Sequence, residues 1–188
     1  MKGGAPEEIF RVQEGSLISC AKVPSGVCVV AEQSDDRKHM MITSFDPVKG
    51  RGHEMARFEI YPQMDLRYYL QGRISPDGTH LLALASPKGP IEIRSLRGAQ
   101  TRVVHPKGVD DMLIVGWAAD GKGLYITNRT TDGSQLLHSD LEGNTRVLRN
   151  CKGTSVRQYC FGVPSPDGRH FAFDSTQRGA NIWMMENY

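Results

Sequence analysis

Six histidines, His39, His53, His80, His105, His138 and His170, together with aspartates set in glycine turns, have side chains suited to acid–base or metal chemistry. None stands in a reactive spacing. The sequence has no HExxH pair to place two imidazoles on one helical face. It also lacks a GxSxG elbow to expose a serine, a GxxxxGK[ST] loop to cradle phosphate, and any HRD or DFG signature. His80 and His170 each follow a turn aspartate by three residues. Their recurrence belongs to a structural repeat, because equivalent positions of different repeats lie far apart. Asp77, Asp120 and Asp167 have the chemistry of general acids or bases, but each also serves a turn. Asp35-Asp36, Asp110-Asp111 and Thr131-Asp132-Gly133 read as loop carboxylates without the DxDxDG ligand spacing of a calcium loop. No catalytic residue, metal site or cofactor is expected.

The four cysteines, Cys20, Cys28, Cys151 and Cys160, are too few for a disulfide-dense scaffold and lack the CxxC spacing of a zinc ribbon. They read as buried thiols packed like small hydrophobes. For Cys20 and Cys28, which flank a hairpin turn, the alternative is a bridge formed in an oxidising compartment. A net charge of +2 is too small for a polyanion-binding surface, so no nucleic-acid partner is expected. The densest basic group, Lys49-Gly50-Arg51-Gly52-His53, reads as a solvated loop tip. No run approaches the roughly 18 apolar residues of a membrane span. Met1 to Glu7 has no apolar core of the kind a signal peptide needs.

The elements that position these side chains come from a repeat. Ser75-Pro76-Asp77-Gly78, Ala118-Ala119-Asp120-Gly121 and Ser165-Pro166-Asp167-Gly168 each lead into an apolar run, and Val23-Pro24-Ser25-Gly26 is a degenerate fourth copy. The copies are 52, 43 and 47 residues apart, the period of a β-propeller blade made of several short strands. Pro at the second turn position presets φ, Asp bonds neighbouring backbone, and Gly at the fourth accepts positive φ, so Gly78 and Gly168 are predicted to have it. The first, innermost strands are predicted at Leu66–Leu70, Met112–Val115 and Gln158–Phe161. Second strands follow the turns. Third strands are predicted at His39–Thr43, Ile91–Ser95, Gln135–Ser139 and Asn181–Met185, and outer strands at Gly52–Phe58, Gly98–Val104 and Gly143–Leu148. The predicted fold is all-β: a single domain over 1–188, with four blades of four antiparallel strands at about 11–58, 61–104, 108–149 and 154–188. Gly3 to Phe10 has the form of an outer strand and is predicted to pair with Asn181–Met185, closing the last blade.

Ser165 to Phe173 with Asn181 to Met185, and Ser75 to Ala85, resemble the TolB-like β-propeller repeat, in which an SPDG turn precedes an apolar strand and a later strand leads to a glycine turn. Ala118-Ala119 and the stretch from Val23 to Gly26 depart from that pattern. The resemblance spans essentially the whole chain. It implies a bacterial binding or scaffold propeller like those appended to serine/threonine kinases and to membrane-bound regulators, where such regions act as extracytoplasmic sensors. The alternative it implies is the propeller portion of an enzyme, such as a prolyl-oligopeptidase-like peptidase or a lyase. Propellers of this type have six or seven blades, so four blades make a small ring, part of a longer protein, or half of an eight-bladed homodimer. Binding is expected at the ends of the channel, on the connections leading into the inner strands. The candidates there are Gln63, Asp65, Asp110, Asp111, Arg157 and Tyr159. The ligand, a protein or a small molecule, is not specified by these residues.

Overall fold

The computed structural model describes residues 8–22, 26–60, 74–84, 86–153, 160–177 and 179–186, and among them all regular structure is antiparallel β-strand. The first sheet holds β1 (Leu17–Cys20), β2 (Cys28–Gln33), β3 (His39–Asp46) and β4 (Gly50–Glu59), in that spatial order. The second holds β5 (His80–Leu84), β6 (Ile91–Ser95) and β7 (Thr101–Val104), with Ile74 bridging to Leu81 on its inner side. The third holds β8 (Met112–Trp117), β9 (Gly123–Thr130), β10 (Gly133–Asp140) and β11 (Thr145–Lys152), and the fourth β12 (Phe161–Pro164), β13 (His170–Gln177) and β14 (Gly179–Glu186). Each sheet is a meander, as short alternating runs joined by glycine turns dictate.

The unbroken apolar runs become second strands covered on both faces. Leu81 to Leu84 and Gly123 to Asn128 are buried throughout. Three apolar clusters join successive sheets. Val29, Ala31, Met40 and Ile42 meet Ile74, Leu81 and Ala83 between the first and second. Leu82, Leu84, Ile91 and Ile93 meet Met112, Val115, Leu124 and Ile126 between the second and third. Tyr125 and Leu136 meet Cys160, Phe171 and Phe173 between the third and fourth.

Several sequence expectations require correction. Among the described residues the sheets have four, three, four and three strands, and no strand from the N-terminal segment closes the last one. Residues 8–10 form no strand. Instead the N-terminal segment lies on the first sheet, where Phe10 packs on Phe45 with ring centroids 5.3 Å apart. The reason is an ion pair. Glu32 on β2 is almost wholly buried; it accepts bonds from Arg51 Nη1, from Arg51 Nη2 at 3.1 Å and from the Gln13 N–H at 3.2 Å. Arg51 also reaches the Arg11 carbonyl at 3.2 Å and stacks over Phe10. The Arg51 bonds, then the Gln13 N–H, outweigh desolvation and hold the Glu32 carboxyl below its usual range. Arg51 is therefore a clamp in β4 rather than part of a solvated loop tip. Gly3 to Glu7, the strand expected at Leu66–Leu70, and Gln158 and Tyr159 of the strand expected at Gln158–Phe161 lie outside the described residues; the inner strand described in the fourth sheet is Phe161–Pro164.

All four cysteines are paired. Cys20–Cys28 joins partners directly opposite each other on β1 and β2, and Cys151–Cys160 ties the outer strand of the third sheet to the entry of the fourth. The buried-thiol reading is thus replaced by two disulfides. Between the first and fourth sheets the described residues make no ladder. Lys22 Nζ reaches the Pro164 carbonyl at 3.4 Å, beside an axial cavity of about 30 Å³, room for a water and no more.

Candidate functional site

The turns that follow the inner strands cluster at one end of the molecule and show how the repeat uses its polar residues. In the second sheet, Ser75 Oγ donates to Asp77 Oδ1 at 2.5 Å, which also accepts from the Thr79 N–H at 3.1 Å, while the His80 N–H donates to Ser75 Oγ at 2.9 Å. Ser165, Asp167, Arg169 and His170 repeat this in the fourth sheet at 2.5, 3.1 and 3.0 Å. Gly78 and Gly168 have φ of 75° and 70°, as predicted from the turn type, and Gly121 shares the conformation at 70°. The same network recurs where no SPDG is written. Ser34 Oγ donates to Asp36 Oδ1 at 2.5 Å, and the His39 N–H donates to Ser34 Oγ at 3.0 Å, with Arg37 at φ 58° in the glycine's place. Asp36 is thus a turn builder rather than a loop carboxylate.

These bonds set the protonation of the aspartates. The serine hydroxyl first, then a backbone N–H, hold Asp36 and Asp167 below the ordinary carboxyl range. Burial of Asp77 works against its ionisation, yet Ser75 and Thr79 together keep it low as well. Asp120 differs because Ala118 stands where the serine would be. Its Oδ1 accepts only the Lys122 N–H, at 2.9 Å, and Oδ2 has no hydrogen-bond partner among the described residues.

Two grooves open between sheets at this end, and Asp120 lines both. The groove between the second and third sheets, about 710 Å³, is lined by Asp77, His80, Gln100, Arg102, Trp117 and Asp120. Its arginine is engaged: Arg102 Nη2 donates to the Leu141 carbonyl at 2.9 Å and to Glu142 Oε1 at 2.8 Å. The groove between the third and fourth sheets, about 460 Å³, is lined by Asp120, Tyr125, His138, Arg146, Pro166 and Asp167. His138 is half-buried and packs edge-on to Tyr125, with centroids 5.4 Å apart. Burial first, then the neighbouring Arg146 guanidinium, push the His138 pKa below its ordinary value, against the pull of Asp120 and Asp140. Both effects favour the neutral ring. A Cβ at Gly123 would collide with it, so that glycine makes its room.

Of the expected site residues, two are described, and both lie at the opposite end. Asp110 and Asp111 stand there together, their N–H groups donating to the buried Asn128 side chain at 3.2 and 3.0 Å, with Arg129 Nε 3.5 Å from the Asp111 carboxylate. Gln63, Asp65, Arg157 and Tyr159 lie outside the described residues, the last two within the segment spanned by the Cys151–Cys160 disulfide. Among the described residues no three metal-ligating side chains come together, and no nucleophile sits beside a base. The grooves can hold and orient a ligand. Sequence reasoning missed Arg146 and gave His138 no role, although the repeat of Thr-Arg-Val at 101–103 and 145–147 was there to align them.

No protein-family model and no curated protein sequence matches the chain. Among solved structures, TolB from Acinetobacter baumannii matches at 22% identity and a TM-score of 0.56, over 90% of this chain and 40% of that one. Kuenenia stuttgartiensis hydrazine synthase matches at 16% identity and a TM-score of 0.52, over 90% of this chain and 51% of that one. The tricorn protease matches at 11% identity and a TM-score of 0.54, over 94% of this chain and 17% of that one. The chain therefore spans about half or less of the proteins it resembles. At these identities the likeness shows the fold alone, a β-propeller fold of the kind TolB has.

Proposed function

We propose that this chain is a non-catalytic binding propeller, the ligand-holding part of a larger bacterial protein that works outside the cytoplasm as a sensor or scaffold. The carrying observation is how its reactive side chains are used. The carboxylates of Asp36, Asp77 and Asp167 are committed to turn bonds, whereas the two inter-sheet grooves collect charged groups that no strand pairing requires. Pairing of all four cysteines supports the compartment, since disulfides persist where the surroundings are oxidising.

The reading extends to assembly with a second copy. Ile18 is 58% and Met184 69% exposed on the first and fourth sheets, each packed against one other sheet, whereas Leu113 and Val115 of β8, inside the stack, are buried. Apolar flanks of this kind favour a partner. Light scattering that shows a monomer at every concentration removes the homodimer from the proposal. The main test is turnover. Hydrolase and phosphotransferase screens of the purified chain are expected to give none, and robust activity abolished by one substitution overturns the non-catalytic reading.

A further inference from the structure

The strand ladders put the grooves in register, and the comparison isolates one of them. Across the second sheet, Leu82 faces Ile93, which faces Arg102. Across the third, Tyr125 faces His138, which faces Arg146. The arginine is retained with its Thr-Arg-Val strand, while the two aliphatic residues beside it become tyrosine and histidine. Arg102 is neutralised by Glu142 and the Leu141 carbonyl. Arg146 has no ion-pair or hydrogen-bond partner among the described residues, although it lies close enough to His138 to depress that ring's pKa. Asp120, which lines the same groove and acts on the same ring, has an uncommitted carboxylate oxygen because its turn has Ala118 in place of serine.

We propose that the groove between the third and fourth sheets binds a small zwitterion of the amino-acid or dipeptide class, Arg146 pairing with its carboxylate and Asp120 accepting from its ammonium. This rests on the reading of the chain as a binding propeller and names the ligand. The guanidinium fork matches a carboxylate through two parallel N–H···O bonds, and without an internal partner it is free to make them. Asp120 and Asp167 repel a simple anion, and Arg146 repels a simple cation, so a ligand with both charges is preferred over either alone. A neutral His138 adds no second positive charge and offers one donor and one acceptor nitrogen between the two ionic ends. Tyr125 gives the groove an aromatic wall, and about 460 Å³ falls within the usual range of small-ligand sites, roughly 300–1,000 Å³. The site has no group placed to attack a peptide bond. It retains its ligand unchanged.

Calorimetric titration of the whole chain with free amino acids and dipeptides, and with the same dipeptides N-acetylated or C-amidated, tests this. Free dipeptides are expected to bind saturably, each capped form at least tenfold more weakly, with Arg146→Gln and His138→Ile losing at least tenfold and Arg102→Gln unchanged. The capped ligands are tested on the parent chain, so a variant that fails to fold does not decide the result. The proposal is overturned by no saturable binding to the parent, by affinity indifferent to either cap, or by an Arg102→Gln loss equal to that of Arg146→Gln. Mass spectrometry of the same mixtures separates the two readings. Cleaved dipeptide overturns the non-catalytic function and leaves the site standing; absent binding with no turnover overturns the site alone.

Discussion

The seam between the second and third sheets and the seam between the third and fourth join the same kind of blade by different physics. The first is aliphatic: Leu82, Leu84, Ile91, Ile93 and Val104 interlock with Met112, Val115, Leu124 and Ile126. The second is smaller and aromatic, Tyr125 resting on Phe171 with centroids 4.5 Å apart and Arg149 stacked over Phe173. It is reinforced by a disulfide and by buried side-chain hydrogen bonds, whereas the Arg102 bonds to Leu141 and Glu142 across the first seam are exposed. The Thr127 hydroxyl donates to the Cys160 carbonyl at 2.7 Å, the Cys160 N–H donates to Ser134 Oγ at 2.8 Å, and the Cys151–Cys160 disulfide crosses the seam. Thr127, Ser134 and Cys160 are all buried, so these bonds form away from competing water. Where a blade gives up aliphatic burial to host a tyrosine, a histidine and a free arginine, covalent and hydrogen-bonded contacts take over the holding.

The largest effect expected is in the aliphatic seam. Leu82 is fully buried, and Leu82→Ala should cost about 3 kcal/mol through lost transfer energy and the cavity left behind. Urea unfolding measures it, and a loss below that of the disulfide variant would reverse the contrast drawn between the seams. Second is the polar seam. Cys151→Ala with Cys160→Ala removes a short-loop crosslink from the unfolded chain and should cost about 2 to 3 kcal/mol. An unchanged unfolding midpoint would show that burial alone holds the third and fourth sheets together.

How much of this contrast the sequence makes legible depends on the range of the interaction. The SPDG turns are local, so their residues predict both the turn and the glycine φ values that the structure shows. Strand positions are legible for the same reason: Ile91–Ser95 is found as predicted, and Met112–Val115 extends only to Trp117. What fails is non-local. Glu32 and Arg51 are 19 residues apart and meet only because the first sheet places β2 and β4 on either side of β3, and that pair holds Phe10 to Gln13 on the first sheet. The turn at Ser34–Asp36 stays hidden because an arginine holds the left-handed position where glycine is the signal. The groove is half legible. Aligning Arg102 with Arg146 needs only the repeated Thr-Arg-Val, but seeing that one is neutralised and the other is not needs Glu142 in three dimensions.

The turns extend the comparison to the seam between the first and second sheets at a smaller scale. Gly78 and Gly168 have the same left-handed backbone, so alanine costs each roughly 1 kcal/mol in strain. Their surroundings differ. A Cβ on Gly78 would meet Val27 Cγ1 at 3.1 Å and Ala21 Cβ at 3.2 Å, whereas one on Gly168 meets only Ala119 Cβ at 3.4 Å. Gly78→Ala should therefore lower the melting temperature more than Gly168→Ala. The reverse order would mean that the first seam yields more readily than the third.

The smallest effect lies in the groove and tests whether His138 is desolvated as its position implies. Burial and Arg146 hold its folded-state pKa below 6.5, with Asp120 and Asp140 opposing and Asp167 on the facing sheet. A depressed folded value means that the neutral ring's contribution is complete above the unfolded pKa. That contribution is lost as pH falls through the folded pKa, because the unfolded chain takes up the proton first. Between pH 7.5 and pH 5 the parent should therefore lose stability that His138→Ile does not lose. All other ionisable groups are common to the two proteins, and the carboxylates that hold the turns lie low enough to stay ionised over most of that window. Melting temperatures of the two proteins at the ends of this range decide the matter: a wider drop in the parent is expected. Equal drops would show a ring as wet as a surface histidine, and the polar seam would then differ from the aliphatic one in its links but not in its burial of charge.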